Sequence, residues 1–165
     1  MTEKPAAPWP LPGWEAVQPF PFAEARGAFA GMTGTEGRIV LKYYKRHDGS
    51  LVATARFGEL SEGAPGLVHG GAILTALDEA LGAAAWLAGR PVMTARLTTE
   101  FRKGVPLGAT MLVETRLIRE RHRLVILEGT LSGADHTVYA YADGRFMVLA
   151  EADQKRILGR AAQIG

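Results

Sequence analysis

The longest apolar stretch of the chain runs from Ala72 to Ala88, and its only polar residues are Thr75, Asp78 and Glu79. Alanine and leucine dominate it, so the stretch predicts a helix roughly 25 Å long that is buried on nearly every side. It falls short of the roughly 20 residues that cross a bilayer and carries two carboxylates, so no membrane span is predicted. Small residues along it should let strands approach closely: Ala76, Ala80, Gly82, Ala83, Ala84 and Ala85.

Runs of β-branched and aromatic residues and alternating apolar and polar positions predict β-strands on both sides of this helix. Two strands come before it, at 38–46 and 51–57, and the turn signal Asp48-Gly49 lies between them. Four strands follow it, at 92–102, 110–119, 123–131 and 137–149. Gly144 is a candidate bulge in the last strand, and the short breaks favour antiparallel neighbours. The pattern predicts an α+β fold in which an antiparallel sheet of about six strands wraps around one long central helix.

The two ends of the chain depart from this pattern. Six of the nine prolines lie in the first 21 residues, which predicts an extended arm, followed by a short helix between Pro21 and Ala30. Trp9, Trp14 and Phe20 indicate that the arm packs on a surface, the alternative for its first ten residues being a disordered tail. The chain is therefore predicted to have three parts: the arm and short helix at 1–35, the sheet-and-helix domain at 36–150, and a terminal helix or tail at 151–165.

Composition narrows the classes of function. The 165 residues are 47% hydrophobic and 22% charged, as in an ordinary globular domain. The net charge is only +2, and Glu120 interrupts the densest basic cluster, at 119–123, so no nucleic-acid partner is predicted. The absence of cysteine excludes disulfides, thiolate catalysis and cysteine metal sites. The chain begins without an apolar signal core, which favours a cytoplasmic protein.

The sequence His69-Gly70-Gly71 stands immediately before the apolar helix. Amides at a helix N-terminus lack intrahelical partners and carry about half a positive charge, and glycine lets a ligand approach the backbone. A carbonyl oxygen that gains negative charge would be stabilised there, by the Gly71 amide first with Gly70 assisting. The alternative is a tight turn that needs a positive φ. For His69 the two interpretations are substrate positioning and helix capping.

Asp78 lies about two turns inside the predicted helix. A carboxylate in this position is a candidate base, which would activate water, or a candidate nucleophile, which would attack a carbonyl itself. The residues alone do not choose between these routes. The alternative is that Asp78 and Glu79 share an exposed strip of the helix.

These features together resemble the hotdog-fold acyl-CoA thioesterases, more narrowly the phenylacetic-acid-pathway type and the 4-hydroxybenzoyl-CoA thioesterase-like superfamily. The resemblance covers roughly residues 36–150. It is carried by the following features: His69-Gly70-Gly71, Asp78 nine residues after the histidine, Gly82 in the apolar helix, Thr94 to Lys103, and Val105 to Gly108.

The resemblance implies a homodimer, or a dimer of dimers, whose sheets join edge to edge and whose active sites lie between protomers. Asp78 rather than Glu79 would be the catalytic acid, and Thr94 would hydrogen-bond it or the attacking water. Glu79 would be structural or a substrate contact. The resemblance also implies that coenzyme A brings phosphates to the surface near the cleft, and three basic residues at strand ends are candidate contacts or simply solvated: Arg102, Lys103 and Arg123.

The function that the resemblance implies is hydrolysis of an acyl-CoA thioester, without a metal or a bound cofactor. Two alternatives remain open. One is a non-catalytic acyl-CoA-binding protein, which would need no acid at Asp78. The other is a hydratase or dehydratase of acyl thioesters, which would pair an acid with a proton-shuttling histidine, and His69 is the only histidine near the helix.

Overall fold

The computed structural model describes residues 7–22, 29–31 and 37–164. Most of the short helix predicted between Pro21 and Ala30 lies outside these residues. The described elements, in chain order, are β1 (Glu15–Val17), β2 (Ile39–Lys45), β3 (Leu51–Phe57), a 3₁₀ turn (Glu59–Ser61), α1 (Gly70–Leu87), β4 (Val92–Phe101), β5 (Thr110–Arg121), β6 (Leu124–Ser132), β7 (Val138–Val148) and α2 (Glu151–Ile164). No helix among the described residues is long and apolar enough to cross a membrane.

The seven described strands form one sheet in the order β1-β2-β3-β5-β6-β7-β4, and each neighbouring pair is antiparallel. The sheet curves around α1, which packs against β2 to β7. The apolar inward positions of these strands and the buried side of α1 form one hydrophobic core. The predicted α+β fold, an antiparallel sheet wrapped around one central helix, is confirmed.

The structure corrects three details of the predicted sheet. It has a seventh strand, β1, because Glu15–Val17 is a proline-free stretch that pairs with the open edge of β2. The chain also crosses the sheet between β4 and β5, so β4 pairs with β7 and these consecutive strands are not neighbours. One bulge lies in β4 between Thr94 and Arg96 and another register shift lies in β7 between Val138 and Ala140, whereas Gly144 sits in regular register opposite Leu97.

The absence of a side chain at Gly144 instead allows β7 to pack closely on α1. A Cβ at Gly144 would overlap a ring carbon of Phe146 and lie 3.1 Å from a methyl carbon of Leu81 in α1. The strand side of the contact thus contributes a small residue, as the buried alanines of α1 do. Gly82 does not share this role, because a Cβ there would meet no atom within 4 Å. The prediction that Gly82 lets a strand approach is wrong.

The described part of the N-terminal arm, residues 7–22, packs on both faces of the sheet. Trp14 lies against Tyr44, with ring centroids 5.9 Å apart, in a small apolar cluster on one face of β2 and β3. Phe20 reaches the other face, where its ring lies 5.9 Å from that of Tyr43 and 6.2 Å from that of Trp86. Because Tyr43 and Tyr44 are successive strand residues, their side chains point to opposite faces.

Strand β4 forms one edge of the sheet. Ten residues long, it carries two exposed large apolar side chains, Met93 at 59% and Phe101 at 52% exposure. A long edge strand with exposed apolar residues presents free backbone groups that favour pairing with another strand.

Candidate active site

The glycine pair forms the first turn of the helix. Its N-cap is His69, whose Nδ1 accepts a hydrogen bond from the Gly71 amide at 2.9 Å. This bond satisfies one of the unpaired amides of the N-terminus and fixes Nδ1 as the unprotonated ring nitrogen. Neither Gly70 nor Gly71 has a positive φ, so the interpretation as a tight turn is wrong. The Gly71 amide is therefore already hydrogen-bonded to the imidazole that caps the helix.

Asp78 and Thr94 meet directly. The Thr94 hydroxyl donates a hydrogen bond to Oδ1 of Asp78 at 2.7 Å, across the contact between α1 and the first residues of β4. Asp78 is half-buried while Thr94 is exposed, so the pair lies at the boundary between the apolar core and solvent. The second carboxylate oxygen is left for another partner, because the described hydrogen bond uses only Oδ1.

Burial shapes the electrostatics of both acids on α1. It raises the pKa of Asp78, and the Thr94 hydrogen bond partly offsets this by stabilising the carboxylate. Burial and the nearby Asp78 charge raise the pKa of Glu79 to about 7. Burial, with a smaller contribution from Glu79, also raises the pKa of the Tyr43 hydroxyl. A raised pKa makes the carboxylate of Asp78 a stronger base than that of an exposed aspartate.

A pocket of about 160 Å³ opens beside the two acids. Its polar end is formed by Asp78, Glu79 and Thr94, and the rest of its wall is mostly apolar. The apolar lining comes from the arm, α1 and two strands: Phe20, Phe22, Gly82, Trp86, Val92, Met93 and Phe146. Two larger clefts, of about 460 and 520 Å³, lie elsewhere, and neither is lined by His69, Asp78 or Thr94.

Within one protomer, the predicted residues form two separate groups. Gly71 and Asp78 are seven residues apart on α1, which is about 10 Å along the axis. Gly70 lies near the far end of β4, since a Cβ there would be 3.6 Å from the Phe101 ring. The acid lies at the near end, beside Thr94. Within one protomer, the helix N-terminus and Asp78 therefore lie at opposite ends of β4.

The three basic residues do not form one cluster either. Arg102 lies just after β4 and pairs with Glu100 at 3.4 Å, and the Lys103 ammonium lies 5.8 Å from the centre of the Tyr139 ring. Arg123 is at the opposite end of the sheet, where its guanidinium donates two hydrogen bonds to the Val148 carbonyl. A phosphate site that uses all three residues of one protomer is therefore incompatible with this arrangement.

Sequence reasoning missed the apolar lining of the pocket. Phe20 was recognisable as a packing residue of the arm, but no spacing indicated that it would lie over the helix near Asp78. Phe22 and Trp86 carried no signal beyond being aromatic. Only their ring contacts, with centroids 5.4 Å apart, place them in the site.

Comparison with known proteins finds matches to the central segment of the chain. A family model of the thioesterase superfamily matches residues 65–140. Acyl-coenzyme A thioesterase THEM4 of Bos taurus is 37% identical over 93 residues, which cover 56% of this chain and 38% of the relative. Acyl-coenzyme A thioesterase THEM5 of Mus musculus is 29% identical over 100 residues, covering 60% of this chain and 40% of the relative. The chain thus spans less than half the length of these curated relatives.

Solved structures agree with this assignment. A thioesterase superfamily protein is 30% identical with a TM-score of 0.61, covering 66% of this chain and 53% of that one. A Streptococcus mutans protein bound to acetyl CoA is 20% identical with a TM-score of 0.61, covering 68% of this chain and 90% of that one, and supports the fold alone. Residues 65–140 thus match the thioesterase superfamily, and the resemblance to hotdog-fold thioesterases that the sequence predicts is confirmed.

Proposed function

We propose that the protein is an acyl-CoA thioesterase, which hydrolyses an acyl-CoA to a free acid and coenzyme A. The observation that carries the proposal is the Thr94–Asp78 hydrogen bond, which holds a half-buried carboxylate at the polar end of an apolar pocket. The names of the matched relatives agree with this activity. A protein that only bound acyl-CoA would have no use for an acid whose desolvation costs free energy.

In this proposal Asp78 accepts a proton from a water molecule that attacks the thioester carbonyl, or attacks the carbonyl itself to form an anhydride that water then hydrolyses. The carbon–sulfur bond breaks, and the coenzyme A thiolate leaves and takes up a proton. A helix N-terminus would stabilise the negative charge on the carbonyl oxygen. The Gly71 amide is the proposed donor, and His69 would have to release it first.

The test is thiol release from a panel of acyl-CoAs, followed with a thiol-reactive dye. Release that depends on enzyme concentration is expected for at least one acyl group. An enoyl-CoA in the panel distinguishes the hydratase alternative, because hydration consumes the double bond without liberating a thiol. Tight binding of acyl-CoA with neither reaction would instead indicate a non-catalytic binding protein.

We further propose that the site is completed by a second protomer. Antiparallel pairing of two β4 edges about a two-fold axis would bring the Thr94 end of one strand beside the Phe101 end of the other. Because Gly70 lies near Phe101, the helix N-terminus of one protomer would then face Asp78 of its partner. The exposed Met93 and Phe101 would be covered by the same contact.

Co-assembly of two impaired variants tests this arrangement. Asp78→Asn and Gly71→Ala are expected to complement each other when refolded or expressed together, because a mixed dimer would contain one site with both residues intact. Random assembly should restore about one quarter of wild-type activity, since about half of the dimers are mixed and each has one good site. Light scattering should report a dimer or tetramer. A stable, active monomer, or no recovery in mixtures, would contradict the shared site.

A further inference from the structure

We propose that Phe20 and Phe22 of the N-terminal arm are specificity-determining residues, which form one wall of the subsite for the end of the acyl group. The inference rests on the thioesterase function proposed above and extends it to a part of the chain outside the segment matched by the family, residues 65–140. It assigns a role to the arm, which packs on the domain through aromatic rings.

Ring contacts fix the position of this wall. The Phe20 ring lies between those of Tyr43 on β2 and Trp86 on α1, with edge-to-face geometry to both. Phe22 stacks on Phe20 at 5.3 Å and meets Trp86 edge-on at 5.4 Å. Such pairs are attractive beyond the area they bury, so the arm is held at the pocket rather than passing over it.

The floor of the pocket gives a second, independent indication. Gly82 lies one helical turn after Asp78 and lines the same pocket, yet no atom would obstruct a Cβ there. Glycine in a helix interior is less favourable than alanine, and no packing contact explains it at Gly82. The missing side chain leaves open space between Asp78 and the aromatic wall. A helix position that sacrifices stability to keep a pocket open is best explained by an occupant.

The dimensions indicate which occupant fits. The pocket volume of about 160 Å³ in one protomer is small beside the roughly 300–1,000 Å³ of most ligand pockets. With the thioester carbonyl beside Asp78, the remaining space would take an acyl end group of only a few carbon atoms. A longer chain directed toward the arm would meet Phe22 and Trp86, which line the pocket. The subsite therefore selects compact acyl groups by excluding long ones.

The experiment is a profile of kcat/KM across straight-chain acyl-CoAs from acetyl to dodecanoyl, measured on the full chain. Phe22→Ala removes one ring of the wall and should raise the ratio of dodecanoyl to butanoyl activity by about 10-fold or more, the lower end of the range for one methylene contact. Trp14→Ala is the matched control, since its ring packs on Tyr44 at the other face of β2. Its profile should equal that of the wild type.

Gly82→Ala tests the same subsite without touching the arm. It should raise Tm by about 2–4 °C through better helix propensity, while lowering activity on the larger acyl groups more than on acetyl-CoA. A profile that stays unchanged in both variants, or falls equally for all acyl groups, would overturn the inference while leaving the thioesterase function standing. If Phe22→Ala fails to fold, Gly82→Ala decides alone. Wild-type protein that releases no thiol from any acyl-CoA would instead overturn the proposed function, and this inference with it.

Discussion

Asp78→Asn is expected to lower kcat by about 10²–10⁴-fold, the loss typical for a positioned base or nucleophile. Asparagine has the same shape, and its Oδ1 still accepts the Thr94 hydrogen bond, so the pocket should be unchanged. What disappears is the oxygen that takes the proton from water or attacks the carbonyl. Because burial disfavours the charged form of Asp78, Tm should stay equal or rise. Steady-state kinetics and thermal unfolding of the same samples measure both quantities.

Glu79→Gln is the matched control, since it removes one carboxylate from the adjacent residue of the same helix. It should cost far less in kcat than Asp78→Asn. Near-wild-type turnover in Asp78→Asn, or equal losses in the two variants, would refute the assignment of Asp78.

Thr94→Val adds a pH readout for the same pair. The Thr94 hydroxyl lowers the pKa of Asp78, so its removal should raise that pKa further. The base must be ionised to act, and kcat/KM should therefore begin to fall at a higher pH in the variant than in the wild type. A structural role for Thr94 alone would lower activity without moving this acidic limb.

The main architecture was predictable because it depends on periodic patterns. The apolar run at 72–88 contains nearly all of α1, and the strand boundaries follow the observed ones to within a few residues. Each pattern reflects which side of an element is buried, and that is a local property. The Asp48-Gly49 turn is equally local, and Gly49 has the positive φ of +84° that such a turn requires.

The predictions that failed concern features that depend on contacts between elements distant in the sequence. Short breaks cannot show that β4 crosses to the far edge of the sheet, since that depends on where the growing sheet wraps around α1. The role of Gly144 is likewise set by a ring two residues away and by Leu81 on another element. The residues of the candidate site also divide into those that the sequence indicates and those that only tertiary contacts reveal. The spacing from His69 to Asp78 is readable in the sequence, whereas the arrival of Phe20 and Phe22 beside the acid is a tertiary event.

Gly71→Ala is the second large effect that we expect, a loss in kcat of about 10-fold or more, within the range for a damaged oxyanion-type donor. Gly71 lies in helical conformation without a positive φ, so alanine introduces no backbone strain. Alanine favours the helix, whereas a displaced His69 cap weakens it, so the two effects on Tm should largely cancel. The kinetic result is therefore separable from unfolding.

The added methyl group has a specific neighbour. It would lie 2.9 Å from Nδ1 and 3.1 Å from Cε1 of His69. The imidazole must therefore shift, and its hydrogen bond with the Gly71 amide is weakened or lost. Two explanations of a slow variant follow from this contact. The methyl group either blocks the approach of the thioester to the Gly71 amide, or displaces a histidine that the reaction needs.

A double-mutant cycle separates these explanations. If the amide itself polarises the carbonyl, Gly71→Ala should still cost about 10-fold in a His69→Ala background. If Gly71→Ala slows the reaction only by displacing the imidazole, it should cause no further loss of kcat in the His69→Ala background. Binding of a non-hydrolysable acyl-CoA analogue should weaken less than kcat in either case, because most contacts of the analogue would lie along the pantetheine and nucleotide. Equal losses in analogue affinity and kcat/KM, with kcat unchanged, would mean that Gly71 only shapes the pocket and donates nothing to the reaction.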